Sequence, residues 1–133
     1  MVILNDELKR DFRYVIKQKG GMLAKGRLLG VQFNELLRDD LYFELSRHAV
    51  KLAMKLKGAL TQMQVPFLVD SPTNQQFPIL PDVVLQGLEG AFSYSYQQRM
   101  DETHSAVRFC TSWATQEAHV DQLIAALKRL ISQ

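Results

Sequence analysis

Apolar residues change their spacing along this chain, and each change marks an element. Val2-Ile3-Leu4 form an apolar run that suits a buried strand with no leader ahead of it, followed by Asn5 as a helix cap and the acids Asp6 and Glu7 in a first turn. Leu8, Phe12, Val15 and Ile16 continue at helical spacing, and Gly20-Gly21 closes that helix. A second helix is expected over residues 22–37, where Leu23, Leu28, Val31, Phe33 and Leu37 spread around most of the circumference; such a helix packs on more than one side. Asp40 is placed to cap a third and longer helix. Its stripe of Leu41, Leu45, Ala49, Leu52, Leu56, Leu60 and Met63 keeps steps of three or four over several turns.

After Pro66 the period shortens. Phe67-Leu68-Val69 and Gln76-Phe77-Pro78-Ile79-Leu80 read as short strands around the turn-rich Asp70-Ser71-Pro72-Thr73-Asn74, and Pro78 marks the second as an edge or irregular strand. A short helix is expected over residues 82–89, ending at Gly90, and Phe92-Ser93-Tyr94-Ser95-Tyr96 alternates as a half-buried strand does. A further strand follows at residues 105–112. Thr115 is then placed to cap a last amphipathic helix that buries Val120, Leu123, Ile124, Leu127, Leu130 and Ile131. This order predicts an α+β fold, in which N-terminal helices precede a small, mostly antiparallel sheet packed with helices. Residues 1–39 are expected to join the chain to something larger, and residues 40–133 to form a compact lobe.

Composition narrows the chemistry. With 133 residues and a net charge of +2, the chain is one domain by length and not basic enough overall to imply nucleic acid. The single cysteine, Cys110, excludes an internal disulfide and a cysteine-based metal site, which fits a reducing cytoplasm. No apolar run approaches the length of a membrane span. His48, His104 and His119 lack a second histidine or cysteine at a metal-ligand offset, so no metal site is expected. No Gly-x-Ser-x-Gly elbow, dinucleotide fingerprint or Walker-type phosphate loop is present.

Two features retain chemical interest. Arg108 is the one full charge in Ser105-Ala106-Val107-Arg108-Phe109-Cys110-Thr111-Ser112. A permanently ionised planar fork among apolar neighbours is costly unless an anion meets it, and alternation puts it on one face with the small residues Ala106 and Cys110. Either an outside carboxylate or phosphate, or a local acid such as Asp101 or Glu102, would be its partner. The other feature is the basic stretch of Lys9, Arg10, Arg13, Lys17, Lys19, Lys25 and Arg27. It reads as a solvated face or as an anion site in which Gly20-Gly21, just before a helix start, offers backbone N–H groups with Lys25 or Arg27 adding charge. Nucleic acid is not favoured as its ligand, because aromatic residues are not interleaved with the basic ones.

Taken together, Gly20-Gly21-Met22-Leu23-Ala24-Lys25-Gly26-Arg27, Val69-Asp70-Ser71-Pro72-Thr73-Asn74-Gln75 and Val107-Arg108-Phe109-Cys110-Thr111-Ser112-Trp113 resemble the C-terminal part of the threonine aldolase and beta-eliminating lyase family. These are pyridoxal-phosphate enzymes of the aspartate-aminotransferase fold. The resemblance runs in order over essentially the whole chain. It implies that the chain corresponds to the small domain of such an enzyme, that Arg108 binds the substrate carboxylate, and that Lys25 or Arg27 reaches toward the cofactor phosphate of a neighbouring subunit. It implies a homo-oligomer acting on a beta-hydroxy amino acid such as threonine, cleaving it to glycine and an aldehyde. The family's Schiff-base lysine lies upstream in a Thr-Lys pair that this chain lacks, and none of Lys9, Lys17, Lys19 and Lys25 stands in that context. No catalytic residue is therefore expected here, and the chain alone is expected to be inactive. The alternatives are a stand-alone interaction module that keeps the small-domain fold, or a basic anion- or RNA-binding domain using residues 9–27.

Overall fold

Asn5 opens the helical part of the chain as its side chain predicts: its Oδ1 accepts the backbone N–H of Glu7 at 2.9 Å. In the computed structural model, which describes residues 3–132, the chain forms two compact units, Met1–Leu41 and Tyr42–Gln133. The division falls at the start of a long helix rather than ahead of it at residues 39 and 40. In the first unit the expected initial strand is not formed. Ile3 and Leu4 pair with nothing among the described residues, Leu4 is 88% exposed, and Val2 lies outside the described residues.

The first helix breaks into α1 (Asp6–Lys9) and α2 (Phe12–Gln18), because Asp11 between them takes a left-handed φ of 53°. Gly20, at φ 71°, ends α2: its N–H donates to the Lys17 carbonyl at 3.1 Å and that of Gly21 to the Ile16 carbonyl at 2.9 Å. This double closure is the Schellman arrangement. The next helix, α3 (Arg27–Leu36), starts five residues later than residue 22, since glycines at 20, 21 and 26 leave a poor helix-forming stretch. A short 3-10 turn, Arg38–Asp40, follows, with Asp39 and Asp40 at φ 50° and 61°. Asp40 therefore precedes the next helix in a left-handed conformation rather than the extended one of a capping residue. None of α1, α2 and α3 contains a buried residue among those described.

The second unit is built on α4 (Leu41–Gln62), whose stripe buries Ala49, Leu52, Leu56 and Leu60 as the spacing predicts. The strand expected at Phe67-Leu68-Val69 shrinks to an isolated bridge between Phe67 and Pro78, with Val69 exposed. Among the described residues, four antiparallel strands form the sheet. The central one, β4 (His104–Cys110), carries β1 (Gln75–Gln76) and β2 (Ile79–Pro81) along one side and β3 (Ser95–Arg99) along the other. Pro78 interrupts the first edge, because it has no N–H to give a ladder, yet its carbonyl still accepts the Val107 N–H at 3.1 Å. β3 starts at Ser95 rather than Phe92, and its register shifts between Tyr96 and Gln98, leaving Gln97 in a bulge.

One face of the sheet closes a core with α4, with α5 (Asp82–Leu88) and with α6 (Glu117–Ile131), where Leu80, Leu88, Val107 and Leu127 join Leu52, Leu56 and Leu60. Gly87 permits the close seating of α5, since a Cβ there would come within 2.6 Å of Leu130 Cδ2. Thr115 does not cap α6: Gln116 holds that position without a side-chain bond, and Thr115 Oγ1 instead accepts the Ser112 N–H at 2.9 Å. The start of α6 is held to α4 by Lys55, which meets Glu117 at 2.8 Å and Asp121 at 2.6 Å. Asp121 first and then Glu117 raise the Lys55 pKa, and Lys55 in turn lowers that of Glu117.

The turn between β3 and β4 rests on Asp101, whose Oδ1 accepts the backbone N–H groups of Thr103 and His104, both at 2.8 Å. The Thr103 bond first, then the His104 side chain, lower its pKa from 3.8 to about 2. A carboxylate with a depressed folded-state pKa stabilises the fold above its unfolded pKa, and that contribution disappears as pH falls through the folded value. Asp101→Ala is accordingly expected to lower the urea midpoint at pH 7, with the difference from the wild type closing between pH 3.8 and about 2. Urea titrations at a series of pH values check this; a gap of constant size down to pH 2 would contradict it.

Candidate functional site

β4 separates its side chains by simple alternation. Val107 and Phe109 enter the core, while Ala106, Arg108 and Cys110 share the opposite face. Register extends that face across the sheet, because directly opposed residues point the same way: Ser95 lies opposite Arg108, and Gln75 opposite Cys110. A small polar surface thus surrounds one guanidinium. Nη1 of Arg108 donates to Gln75 Oε1 at 3.5 Å and Nη2 to Ser95 Oγ at 3.4 Å, while Nε is buried without a partner. Both contacts are longer than an ordinary N–H···O hydrogen bond.

Neither local acid is paired with Arg108. Asp101 is held by Thr103 and His104, and the Glu102 carbonyl accepts from Arg99, which also pairs with Asp82 at 3.1 Å. Among the described residues no carboxylate lies within ion-pair distance of Arg108. Its side chain instead borders an open cavity of about 290 Å³, lined by Ser93, Tyr94, Ser95, Arg108 and Cys110. The Tyr94 ring packs edge-on against Phe109, with centroids 6.2 Å apart. Burial, and then Glu89 and Asp82, push the Tyr94 hydroxyl pKa up. A second cavity of about 460 Å³ shares Ser93 and Cys110 with the first and is lined further in by Phe92, Phe109, His119 and Leu123.

The turn at residues 70–76 fixes this surface from one side. Asn74 Nδ2 donates to the Thr111 carbonyl at 2.7 Å, the Thr111 N–H returns a bond to the Asn74 carbonyl at 3.0 Å, and Thr111 Oγ1 donates to the Ala49 carbonyl of α4 at 2.7 Å. Gln76, fully buried, donates to the Thr73 carbonyl at 2.8 Å. Two separate sequence stretches, residues 69–75 and 107–113, therefore meet at the guanidinium. Gln75 and Ser95 are absent from the sequence reading of the site. The alternation of Ser93 and Ser95 with Tyr94 and Tyr96 hints at a hydroxyl-bearing face, but only strand register shows which residue of β4 it opposes. Asn74 and Thr111 are visible in sequence only as a turn and a strand end.

Lys25 and Arg27 belong to the other unit. Lys25 lies in the turn before α3 and Arg27 is the first residue of that helix; both are exposed. Neither is ion-paired among the described residues. The backbone donors expected beside them are not free: the N–H groups of Gly20 and Gly21 are occupied by the end of α2, and α3 begins well beyond them. These two side chains fit a phosphate through charge alone. Two of the three histidines take structural places. His48 Nε2 bonds the Thr115 carbonyl at 2.8 Å, joining α4 to the approach to α6, and His104 pairs with Asp101 at 3.1 Å. No helix among the described residues is long and apolar enough to cross a membrane.

No protein-family model matches the chain. It is 27% identical to a low specificity L-threonine aldolase from Pseudomonas sp. (strain NCIMB 10558), over 99% of this chain and 38% of that protein. A solved structure of Leishmania major threonine aldolase superposes with a TM-score of 0.88 at 40% identity, covering 97% of this chain and 38% of that one. The chain spans 38% of the length of each. In sequence and in fold it is similar to the C-terminal part of threonine aldolases, with the α+β arrangement of helices and small antiparallel sheet that the hydrophobic pattern predicts.

Proposed function

We propose that this chain, as the C-terminal part of a threonine-aldolase-like lyase, binds the carboxylate of a beta-hydroxy amino acid through Arg108. The observation that carries the reading is a guanidinium at a cavity mouth, flanked only by neutral groups and without a carboxylate partner among the described residues. A rigid strand holds the fork, so a bound carboxylate meets two parallel donors and is fixed in direction as well as place. Pyridoxal phosphate, if held on a lysine elsewhere in the complete enzyme, would supply the electron sink for cleavage of the bond between Cα and Cβ. Lys25 or Arg27, in the first unit, contributes cationic charge toward the cofactor phosphate of a neighbouring subunit. Arg108 supplies no proton and no nucleophile; it orients.

The apolar surface of the first unit supports a larger assembly. Leu28 is 73% exposed, Phe33 64% and Leu37 61%, and residues of this kind are buried against further protein in a complete enzyme or homo-oligomer. Cys110, exposed and unpaired, suits a reducing cytoplasm. The reading is tested by supplying pyridoxal phosphate and L-threonine to the chain alone and then together with the upstream part of the protein. The chain alone is expected to release no aldehyde, and the combination to release it; robust turnover by the isolated chain would overturn the assignment. One observation favours a second reading, a stand-alone interaction module: the second unit has a closed hydrophobic core of its own. A coding sequence upstream with a Thr-Lys pair in frame decides for the lyase.

A further inference from the structure

The two groups that touch Arg108 are both neutral, and their neutrality has a purpose at an anion site. Gln75 Oε1 and Ser95 Oγ accept from opposite ends of the fork, Nη1 at 3.5 Å and Nη2 at 3.4 Å, from the strands on either side of β4. A carboxylate at either position would hold the guanidinium more firmly and also neutralise it. An amide and a hydroxyl aim it while leaving the whole positive charge for an incoming anion, because neutral acceptors bond more weakly than ionised ones. Three other arginines meet a carboxylate instead: Arg10 meets Asp11, Arg38 meets Glu35 and Arg99 meets Asp82.

We infer that Gln75 and Ser95 are positioning residues that hold Arg108 in line for a ligand carboxylate without neutralising it. The inference rests on the carboxylate-binding role proposed for Arg108 and adds what keeps that arginine available. It predicts that charge at position 75, rather than side-chain size, decides how well the site attracts an anion. Glutamate there occupies the guanidinium and competes with the ligand. Alanine leaves the charge free and the fork loosely aimed.

Cys110 gives a direct probe, because it is the only cysteine of the chain and lines the same cavity as Arg108. Iodoacetate carries a carboxylate and iodoacetamide does not, so the ratio of their alkylation rates at Cys110 reads the local attraction for a carboxylate. Either reagent displaces iodide by attack of the thiolate on its methylene carbon, forming a thioether. Dividing one rate by the other removes changes in thiol exposure or reactivity that a merely structural substitution would cause.

In the 133-residue chain, Arg108→Ala is expected to lower the iodoacetate-to-iodoacetamide ratio by roughly 3- to 10-fold, the effect of losing one nearby unit charge at a partly screened surface. Gln75→Glu is expected to lower it as far with Arg108 still present, and Gln75→Ala and Ser95→Ala less. Ser95→Thr, which keeps the hydroxyl, is expected to restore the wild-type ratio. If Arg108→Ala lowers the ratio and Gln75→Glu leaves it unchanged, the positioning role fails while the anion site stands. If Arg108→Ala itself leaves the ratio unchanged, the carboxylate-binding role fails as well. Raising the salt concentration is expected to bring the wild-type ratio toward that of Arg108→Ala, and a ratio indifferent to salt would overturn the electrostatic account.

Discussion

Arg108→Ala in the proposed complete lyase is expected to lower kcat/KM for L-threonine by about 30- to 1,000-fold, corresponding to the ~2–4 kcal/mol lost when one partner of a hydrogen-bonded charge pair is removed. The arginine stands on the middle strand of the sheet, between β1 and β3, so the site cannot easily draw a substitute cation into the gap. Loss of the fork also frees the substrate to rotate, and the fall is expected in kcat as well as in KM. Arg108→Lys keeps a charge but offers a point donor in place of two parallel ones, and is expected to recover only part of the loss. Steady-state kinetics of the three proteins check this. An alanine variant with near wild-type kcat/KM would remove Arg108 from substrate binding.

The second large effect concerns stability. Leu60→Ala is expected to destabilise the second unit by about 2–5 kcal/mol, the cost of deleting buried methyl groups and leaving a cavity. Leu60 has no exposed surface and lies where the last turns of α4 meet the core. Set against a net folding free energy of about 5–15 kcal/mol for a domain, this is a large fraction. Leu28→Ala in α3, by contrast, removes a side chain that is 73% exposed, and is expected to change the isolated chain by less than about 0.5 kcal/mol. Urea unfolding of the variants measures both. Comparable losses from the two substitutions would mean that α3 is buried in a way its exposure does not show.

How much of this was legible in the sequence differs by element. The stripe from Ala49 to Leu60 placed a buried helix correctly because a long amphipathic period survives local irregularities. Phe67-Leu68-Val69 misled because three apolar residues carry no register, and the backbone used only Phe67 for a bridge. Asp11 broke an evenly spaced helix through one left-handed residue, and Thr115, a good cap by type, gave its oxygen to the turn at Ser112 instead. In each case the deciding bond joins residues whose pairing is settled by backbone conformation rather than by composition. Arg108 was visible as a misplaced charge, and residues 69–75 and 107–113 stood out as separate stretches. Their meeting through Asn74 and Thr111 depends on antiparallel register, which the sequence leaves open.

The central claim is that Arg108 and the substrate carboxylate act on each other. It is tested most directly by comparing L-threonine with L-threonine amide, which lacks the carboxylate, in the wild-type lyase and in Arg108→Ala. If the two groups are partners, their removals do not add. The wild type is expected to discriminate strongly against the amide, and Arg108→Ala to treat the two compounds nearly alike. Discrimination that persists at its wild-type value in Arg108→Ala would show that the carboxylate is bound elsewhere.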